Sequence, residues 1–260
     1  MKRLAPVVLI HGMWSTPDVF NELKHFFENQ GYEVLTPRLP FHLPLSQMND
    51  AARVGLTGSG IDDYVDTIST LIQSLDRKPI IIGHSLGGLL AQLTAARHEC
   101  EKLILLSSAA PAGINSWSWS VIRTLGHNLF KFPLWKSLTN LNLSNIQYGL
   151  ANEQSKEFQD ELNTELTLES GRVSWQIAMW FLYKQPKTRV NACNINCPVL
   201  VIGGTKDKLT AIKVQKKIAS KYQQMATLIE IENACHWTLS GPFFSEISQT
   251  MLNWLNKGTR

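Results

Sequence analysis

The pentapeptide Gly83-His84-Ser85-Leu86-Gly87 lies between an unbroken apolar run, Pro79-Ile80-Ile81-Ile82, and a stretch with apolar residues at helical spacing. A strand therefore passes into a helix with no room for a loop, and the serine occupies the turn. So tight an elbow strains the serine backbone and leaves no space for side chains two residues to either side, where the glycines stand. At a glycine usage of about 7%, chance flanks about one serine in two hundred this way. The strand before it and the helix after it make the pattern specific.

The rest of the chain has a matching rhythm. Short apolar runs at 6–10, 32–36, 79–82, 102–107, 198–202 and 227–231 alternate with helical patterns. That alternation predicts an α/β fold, a mostly parallel sheet with helices on both faces. Thr16-Pro17-Asp18 opens a helix whose Phe20, Leu23 and Phe27 share a face, and Gly31 ends it. Ile61, Val65, Ile68, Ile72 and Leu75 mark a second helix, with Asp62, Asp63 and Asp66 on its other side. Further helices are expected at 86–97, 210–221 and 242–256.

Between about 113 and 190 the rhythm stops. This segment holds Trp117, Trp119, Trp135, Trp175 and Trp180, five of the eight tryptophans, and no convincing strand. Amphipathic helices are expected around 152–168, with Phe158, Leu162 and Leu166, and around 173–183. So long an insertion exceeds a connecting loop. It reads as a helical cap inserted before the last two strands, over a core of 1–112 and 191–260. Its tryptophans are expected to form the cap's own core. The sharper alternative joins some of them with Trp14 and Phe41 in an apolar pocket.

Composition narrows the function. Charged residues are 18% of the chain and the net charge is +4, with no dense Lys/Arg run of the kind that binds nucleic acid. The basic residues from Lys206 to Lys221 fall towards the end of an expected helix and suit a solvated face better than a lipid-binding patch. Met1-Lys2-Arg3 resembles the start of a signal peptide, but the apolar run behind it is broken by Pro6 and stops at His11-Gly12. No stretch reaches the roughly 18 apolar residues of a membrane span. No stable membrane anchor is expected, and the expected location is cytoplasmic. Cys100, Cys193, Cys197 and Cys235 lack CxxC spacing and are expected to be free thiols, with a Cys193–Cys197 pair as the alternative. Cys235 and His236 offer too few ligands for a metal. No cofactor is expected, and the sequence does not indicate an oligomeric state.

A serine hydroxyl is a poor nucleophile until a base takes its proton and an acid orients that base. Both follow Ser85 in the chain. The run 199–204 leads into Thr205-Lys206-Asp207, and the last strand leads into Asn233-Ala234-Cys235-His236. Each candidate lies just past the C-terminal end of a strand, where open α/β sheets build their sites. Asp207 alternatively caps the following helix, and His236 alternatively packs against Trp237. Neighbouring His84 and His11 are read as structural. His11-Gly12-Met13-Trp14 follows the first strand and can aim a backbone N–H, that of Met13, at a reacting oxygen. The N–H of Leu86, opening the elbow helix, is the second candidate donor.

With these residues in place, the chain resembles the α/β-hydrolase superfamily, in its capped serine esterase and lipase-like branch. His11-Gly12, Gly83-His84-Ser85-Leu86-Gly87-Gly88, 203–207 and His236 carry the resemblance in order. It implies Ser85 as nucleophile, Asp207 as acid, His236 as base, and an oxyanion hole from the backbones of Met13 and Leu86. Serine at 85 departs from the branches with an aspartate nucleophile, and a single His-Gly departs from the HGGG branch. Pro37-Arg38-Leu39-Pro40-Phe41-His42 resembles the family's Pro-Asp-Leu-Pro-Gly-His turn with Arg38 and Phe41 substituted, and runs into a long loop to Gly60. Cys235 replaces a glycine that often precedes the histidine. The expected substrate is a small, lipophilic carboxylic ester. Carbon–carbon bond hydrolysis, thioester hydrolysis and cofactor-free perhydrolysis use the same triad and stay open, as does a ligand-binding receptor with vestigial turnover.

Overall fold

Apolar runs that are buried on both sides become the strands of the sheet. In the computed structural model, which describes residues 4–257, the main strands are β1 (Val7–Ile10), β2 (Val34–Leu35), β3 (Ile80–His84), β4 (Lys102–Leu106), β7 (Val199–Gly204) and β8 (Ala226–Ile231). The signal-like Met1, Lys2 and Arg3 lie outside the described residues. All pairings in this sheet are parallel, in the order β2-β1-β3-β4-β7-β8. The helices are α1 (Asn21–Asn29), α2 (Asp50–Gly58), α3 (Ile61–Gln73), α4 (Leu86–Ala95), α5 (Trp119–Leu125), α6 (Leu143–Asn145), α7 (Lys156–Glu165), α8 (Gly171–Ala178), α9 (Ile212–Lys221) and α10 (Phe244–Asn256).

The inner strands are continuous apolar runs because both of their faces are covered. Val8, Ile10, Ile81, Leu103 and Val201 point to one side, against Ile68, Leu89 and Ile218 of α3, α4 and α9. Their neighbours Val7, Leu9, Ile82, Ile104 and Ile202 point to the other, against Phe27 of α1 and Met251 of α10. Each such side chain, fully buried, contributes about 1.5–3 kcal/mol. The edge strands are less buried, and β2 is only two residues long, which limits edge-to-edge pairing.

Strand order fixes where a site can form. From β1 the chain crosses to β2 on one side, and β3 then lies on the other, so the order reverses between β1 and β3. Open parallel sheets bind at this switch point, beyond the carboxyl ends of the strands. Gly12-Met13 and the Ser85 elbow both leave the sheet there.

The segment between β4 and β7 is mainly helical, with one short ribbon of β5 (Leu138–Thr139) antiparallel to β6 (Glu169–Ser170). Its apolar side chains do not close a core of their own around the tryptophans. Ile146, Leu150 and Leu162 join the cluster on the α1 and α10 side of the sheet, and Val173 joins the other. Trp117, Trp119, Trp135, Trp175 and Trp180 are all at least partly exposed. The stretch expected as a long loop to Gly60 contains α2, capped by the Asn49 side chain, which accepts from Ala52 N at 2.9 Å. Cys197 does not meet Cys193: its Sγ lies 3.2 Å from that of Cys100, Cys193 is exposed, and all four cysteines are free. Among the described residues no helix is long and apolar enough to cross a membrane.

One buried polar cluster ties this segment to α3 and to the loop that follows β2. Glu169 of β6 is fully buried and faces His42 Nε2 at 3.0 Å through Oε2. Its Oε1 accepts from Tyr64 Oη and from Ser170 N, each at 2.7 Å. Burial and the Glu169 charge push the Tyr64 hydroxyl well above its ordinary range. Removing one member of such a cluster strands the others without partners. Glu169→Ala is expected to cost about 3–5 kcal/mol of stability, read from urea unfolding midpoints. A loss under about 1 kcal/mol, the range of an exposed pair, would contradict this.

Candidate active site

The elbow is built by backbone packing against backbone. A Cβ on Gly87 would stand 1.9 Å from the Ile10 carbonyl oxygen, and one on Gly83 would stand 2.1 Å from the Gly87 carbonyl oxygen. Neither position admits a side chain, so α4 lies directly on the ends of β1 and β3. Ser85 itself is held at φ 54°, ψ −119°, a conformation that non-glycine residues rarely adopt. Its N–H donates to Leu106 O at 3.0 Å, and its carbonyl accepts from Ala109 N at 2.8 Å. The end of β4 and the loop that follows it thus fix the turn from both sides.

From this turn the Ser85 hydroxyl reaches His236. Ser85 Oγ lies 2.9 Å from His236 Nε2, and His236 Nδ1 lies 2.9 Å from Asp207 Oδ2. With a carboxylate on Nδ1, that nitrogen carries the proton and Nε2 accepts from the serine. His236 and Asp207 are buried, at 1% and 5% exposure. Three stretches more than a hundred residues apart at their extremes meet within hydrogen-bonding distance.

Asp207 is tied down on every side. Its Oδ1 accepts from Leu209 N and Thr210 N, both at 2.8 Å, closing the loop that leads into α9. Thr210 Oγ1 lies 2.9 Å from Asp207 Oδ2, 2.9 Å from Ser107 O and 3.2 Å from His236 Nδ1. Burial works to raise the Asp207 carboxyl. The facing His236 ring and the hydrogen bonds from His236 and Thr210 outweigh it and hold the carboxyl below its ordinary range. Thr210, expected from the sequence only as a helix start, is a site residue that the sequence does not announce. Its one trace there is the spacing Asp207-Lys208-Leu209-Thr210, at which an aspartate can bond its own backbone two and three residues on.

The other two histidines support the frame. His84 Nε2 donates to the carbonyl of His236 at 2.9 Å, so the residue beside the serine also fixes the backbone of the histidine that faces it. Burial, then the neighbouring His236, lowers the His84 pKa to about 3, so the ring stays neutral. His11 is likewise lowered to about 3, by burial and then by His42. Its Nδ1 donates to Gly12 O at 3.0 Å, and its Nε2 accepts from Leu39 N at 3.2 Å.

Gly12 borders the serine: a Cβ there would stand 3.1 Å from Ser85 Cβ. The loop carrying Met13 therefore passes directly over the elbow. Among the described residues, neither the Met13 nor the Leu86 amide has a hydrogen-bond partner. Leu86 is the first residue of α4, whose opening amides are left unpaired by the helix itself. Trp14 is locked in place: its Nε1 donates to Thr139 Oγ1 at 3.0 Å, and its carbonyl accepts from Thr167 N at 2.7 Å.

A cavity of about 90 Å³ opens beside Met13, lined mainly by Trp117, Val121, Leu125, Ile177 and Ala178. The alternative reading, in which some of the segment's tryptophans join Trp14 and Phe41 in a pocket, is thus met only by Trp117. Trp14 is committed to Thr139, and Phe41, at φ 62°, lies across Gly55 towards solvent. Trp117 alone of the segment's tryptophans lines the cavity. Cys235 is buried, with its Sγ on Trp237 O at 3.7 Å, and burial raises its pKa. Among the described residues no group of three or more His, Cys, Asp or Glu is placed to hold a metal ion.

Residues 7–243 match the alpha/beta hydrolase family, and the chain belongs to it. Solved structures share the fold over nearly the whole chain. A methylesterase from Arabidopsis superposes with a TM-score of 0.73 at 16% identity, covering 97% of this chain and 99% of its own. A pyrethroid hydrolase from Sphingobium faniae gives 0.71 at 16% identity, covering 97% and 98%. A monoacylglycerol lipase from Paleococcus ferrophilus gives 0.70 at 19% identity, covering 96% and 95%. No curated protein sequence matches the chain.

The depressed Asp207 carboxyl makes a pH prediction. A group whose folded pKa lies below its unfolded value stabilises the fold above the unfolded pKa and loses that contribution as pH falls through the folded one. The stability gap between the wild type and Asp207→Asn is therefore expected to be full at neutrality. It should shrink as pH drops below the ordinary carboxyl value of 3.8. Urea unfolding of both proteins across that range checks it, and a gap independent of pH would refute it.

Proposed function

We propose that the protein is a serine hydrolase that cleaves carboxylic esters with an apolar acyl or alcohol part. The observation that carries this reading is the unbroken hydrogen-bond run from Ser85 through His236 to Asp207. Ser85 Oγ attacks the ester carbonyl while His236 Nε2 takes its proton. Asp207 holds the ring and offsets the positive charge that forms on it. The amides of Met13 and Leu86 receive the negative oxygen of the tetrahedral intermediate. His236 then returns the proton to the departing alcohol, leaving an acyl group on Ser85. Water, deprotonated by the same nitrogen, attacks that acyl group; the acid leaves and the serine regains its proton.

The substrate class is inferred from the cavity beside Met13, whose lining is mostly apolar. Similarity in fold to a methylesterase, a pyrethroid hydrolase and a monoacylglycerol lipase is consistent with an ester, without choosing among them. No cofactor takes part in the proposed steps. Four free thiols suit a reducing compartment, and the cytoplasm is the location we propose.

Ser85→Ala is expected to lower kcat on a p-nitrophenyl ester by at least about 10⁴-fold while the unfolding midpoint holds. A folded, active alanine variant would end the assignment. His236→Ala is expected to lower kcat by a similar factor, and a folded, active variant would remove His236 from the role of base. A panel of esters graded in acyl length, with a thioester and a β-diketone beside them, identifies the bond cleaved. The expected order is ester first, with kcat/KM highest for a short apolar acyl group.

A further inference from the structure

The segment between β4 and β7 exposes aromatic side chains that a folded chain ordinarily covers. Phe130 is 87% exposed and Phe132 88%. From Phe132 the rings continue across the surface: Phe132 meets Trp135 at 5.8 Å between centroids, and Trp135 meets Trp175 at 4.8 Å. Trp175 Nε1 then donates to Tyr183 Oη at 2.9 Å. Large aromatic groups connected in this way form a patch, and such patches mark a surface that something else covers.

The charges that this segment itself brings to the patch are of one sign, with Asp62 of α3 reaching its edge at Lys187. Residues 113–152 carry Arg123, Lys131 and Lys136 and no carboxylate, and residues 170–190 carry Arg172, Lys184, Lys187 and Arg189 and no carboxylate. The six acidic residues of the intervening stretch, 153–169, fall mostly on α7 or, in the case of Glu169, are buried against His42 and Tyr64. Lys131 stands between the two exposed phenylalanines, and Lys136 follows Trp135. Arg172 and Lys187 line a recess with Trp135, Trp175 and Tyr183. Lys187 is engaged by Asp62 at 2.6 Å. Arg123 stacks on Tyr148 at 3.9 Å, and Lys131 Nζ donates to Leu138 O at 2.8 Å, so Lys136 and Lys184 are the cations that, among the described residues, no carboxylate pairs.

Tryptophan and tyrosine settle at the headgroup level of a bilayer, phenylalanine inserts below it, and lysine and arginine meet anionic lipid above it. We propose that this aromatic and basic face docks the protein reversibly on membranes bearing anionic phospholipid. The contact is peripheral and needs no spanning helix. The same segment supplies Trp117, Val121 and Leu125 to the cavity beside Met13, so the docked face and the cavity share one wall.

The test uses the full chain as Ser85→Ala, so that binding is read without turnover and stands or falls apart from the hydrolase reading. Sedimentation with vesicles of phosphatidylcholine, alone or mixed with phosphatidylglycerol, should show partitioning that rises with phosphatidylglycerol and falls with salt. Phe132→Ser should weaken it by about tenfold or more, the loss of one buried aromatic side chain. Lys136→Gln should weaken it by about fivefold, the loss of one cation near the surface. Both side chains lie outside the Ser85 site, so in the active protein turnover of a soluble ester should not change. Absence of partitioning, indifference to phosphatidylglycerol, or equal binding by Phe132→Ser with circular dichroism unchanged would overturn the proposal. So would a dimer, by analytical ultracentrifugation, that Phe132→Ser separates.

Discussion

The site rests on the close approach of the Ile10 carbonyl to the backbone of Gly87. With 1.9 Å left for any β-carbon, the elbow helix sits on the end of β1 as closely as two backbones can. That contact sets the height of Ser85 above the sheet, and it brings Gly12 to the serine's side. Everything the site needs is then delivered to the same end of the sheet by parallel strands. β7 brings Asp207 and β8 brings His236, because parallel neighbours all finish at the same edge. The catalytic proposal is thus a consequence of topology before it is one of side-chain chemistry.

Around this frame, neutral buried groups do as much positioning as charged ones. His84 is held uncharged by burial and spends its donor on the His236 carbonyl. Thr210 Oγ1 stands within hydrogen-bonding distance of Asp207 Oδ2, Ser107 O and His236 Nδ1, and its one proton is shared between the two oxygens. A fixed polar environment of this kind costs its stabilisation at folding rather than at the moment of reaction.

Much of this was legible in the residues. The strands declared themselves as apolar runs, since a sheet covered on both faces needs no alternation, and the glycine spacing around Ser85 announced the elbow. Asp207 and His236 followed from their places beyond strand ends. What was not legible depended on long-range packing. The interior of the 113–190 segment looked self-contained because its tryptophans are many, yet its leucines and isoleucines bury against the sheet while the tryptophans stay near the surface. Phe41 looked like a pocket residue until its positive φ turned it away over Gly55. α2 was hidden in a stretch whose periodicity is short and whose start is signalled only by Asn49-Asp50. The meeting of Cys100 with Cys197 rather than of Cys193 with Cys197 has no local signal, the two being 97 residues apart.

Trp14 links these layers mechanically. It follows Met13 directly, and both its indole and its carbonyl are hydrogen-bonded to the segment above, at Thr139 and Thr167. Lifting that segment while keeping both bonds would drag the peptide that faces the serine along with it. Any movement of the roof that keeps both bonds is thereby geared to the shape of the corner beside Ser85, and a roof held still, whatever holds it, also holds that corner still.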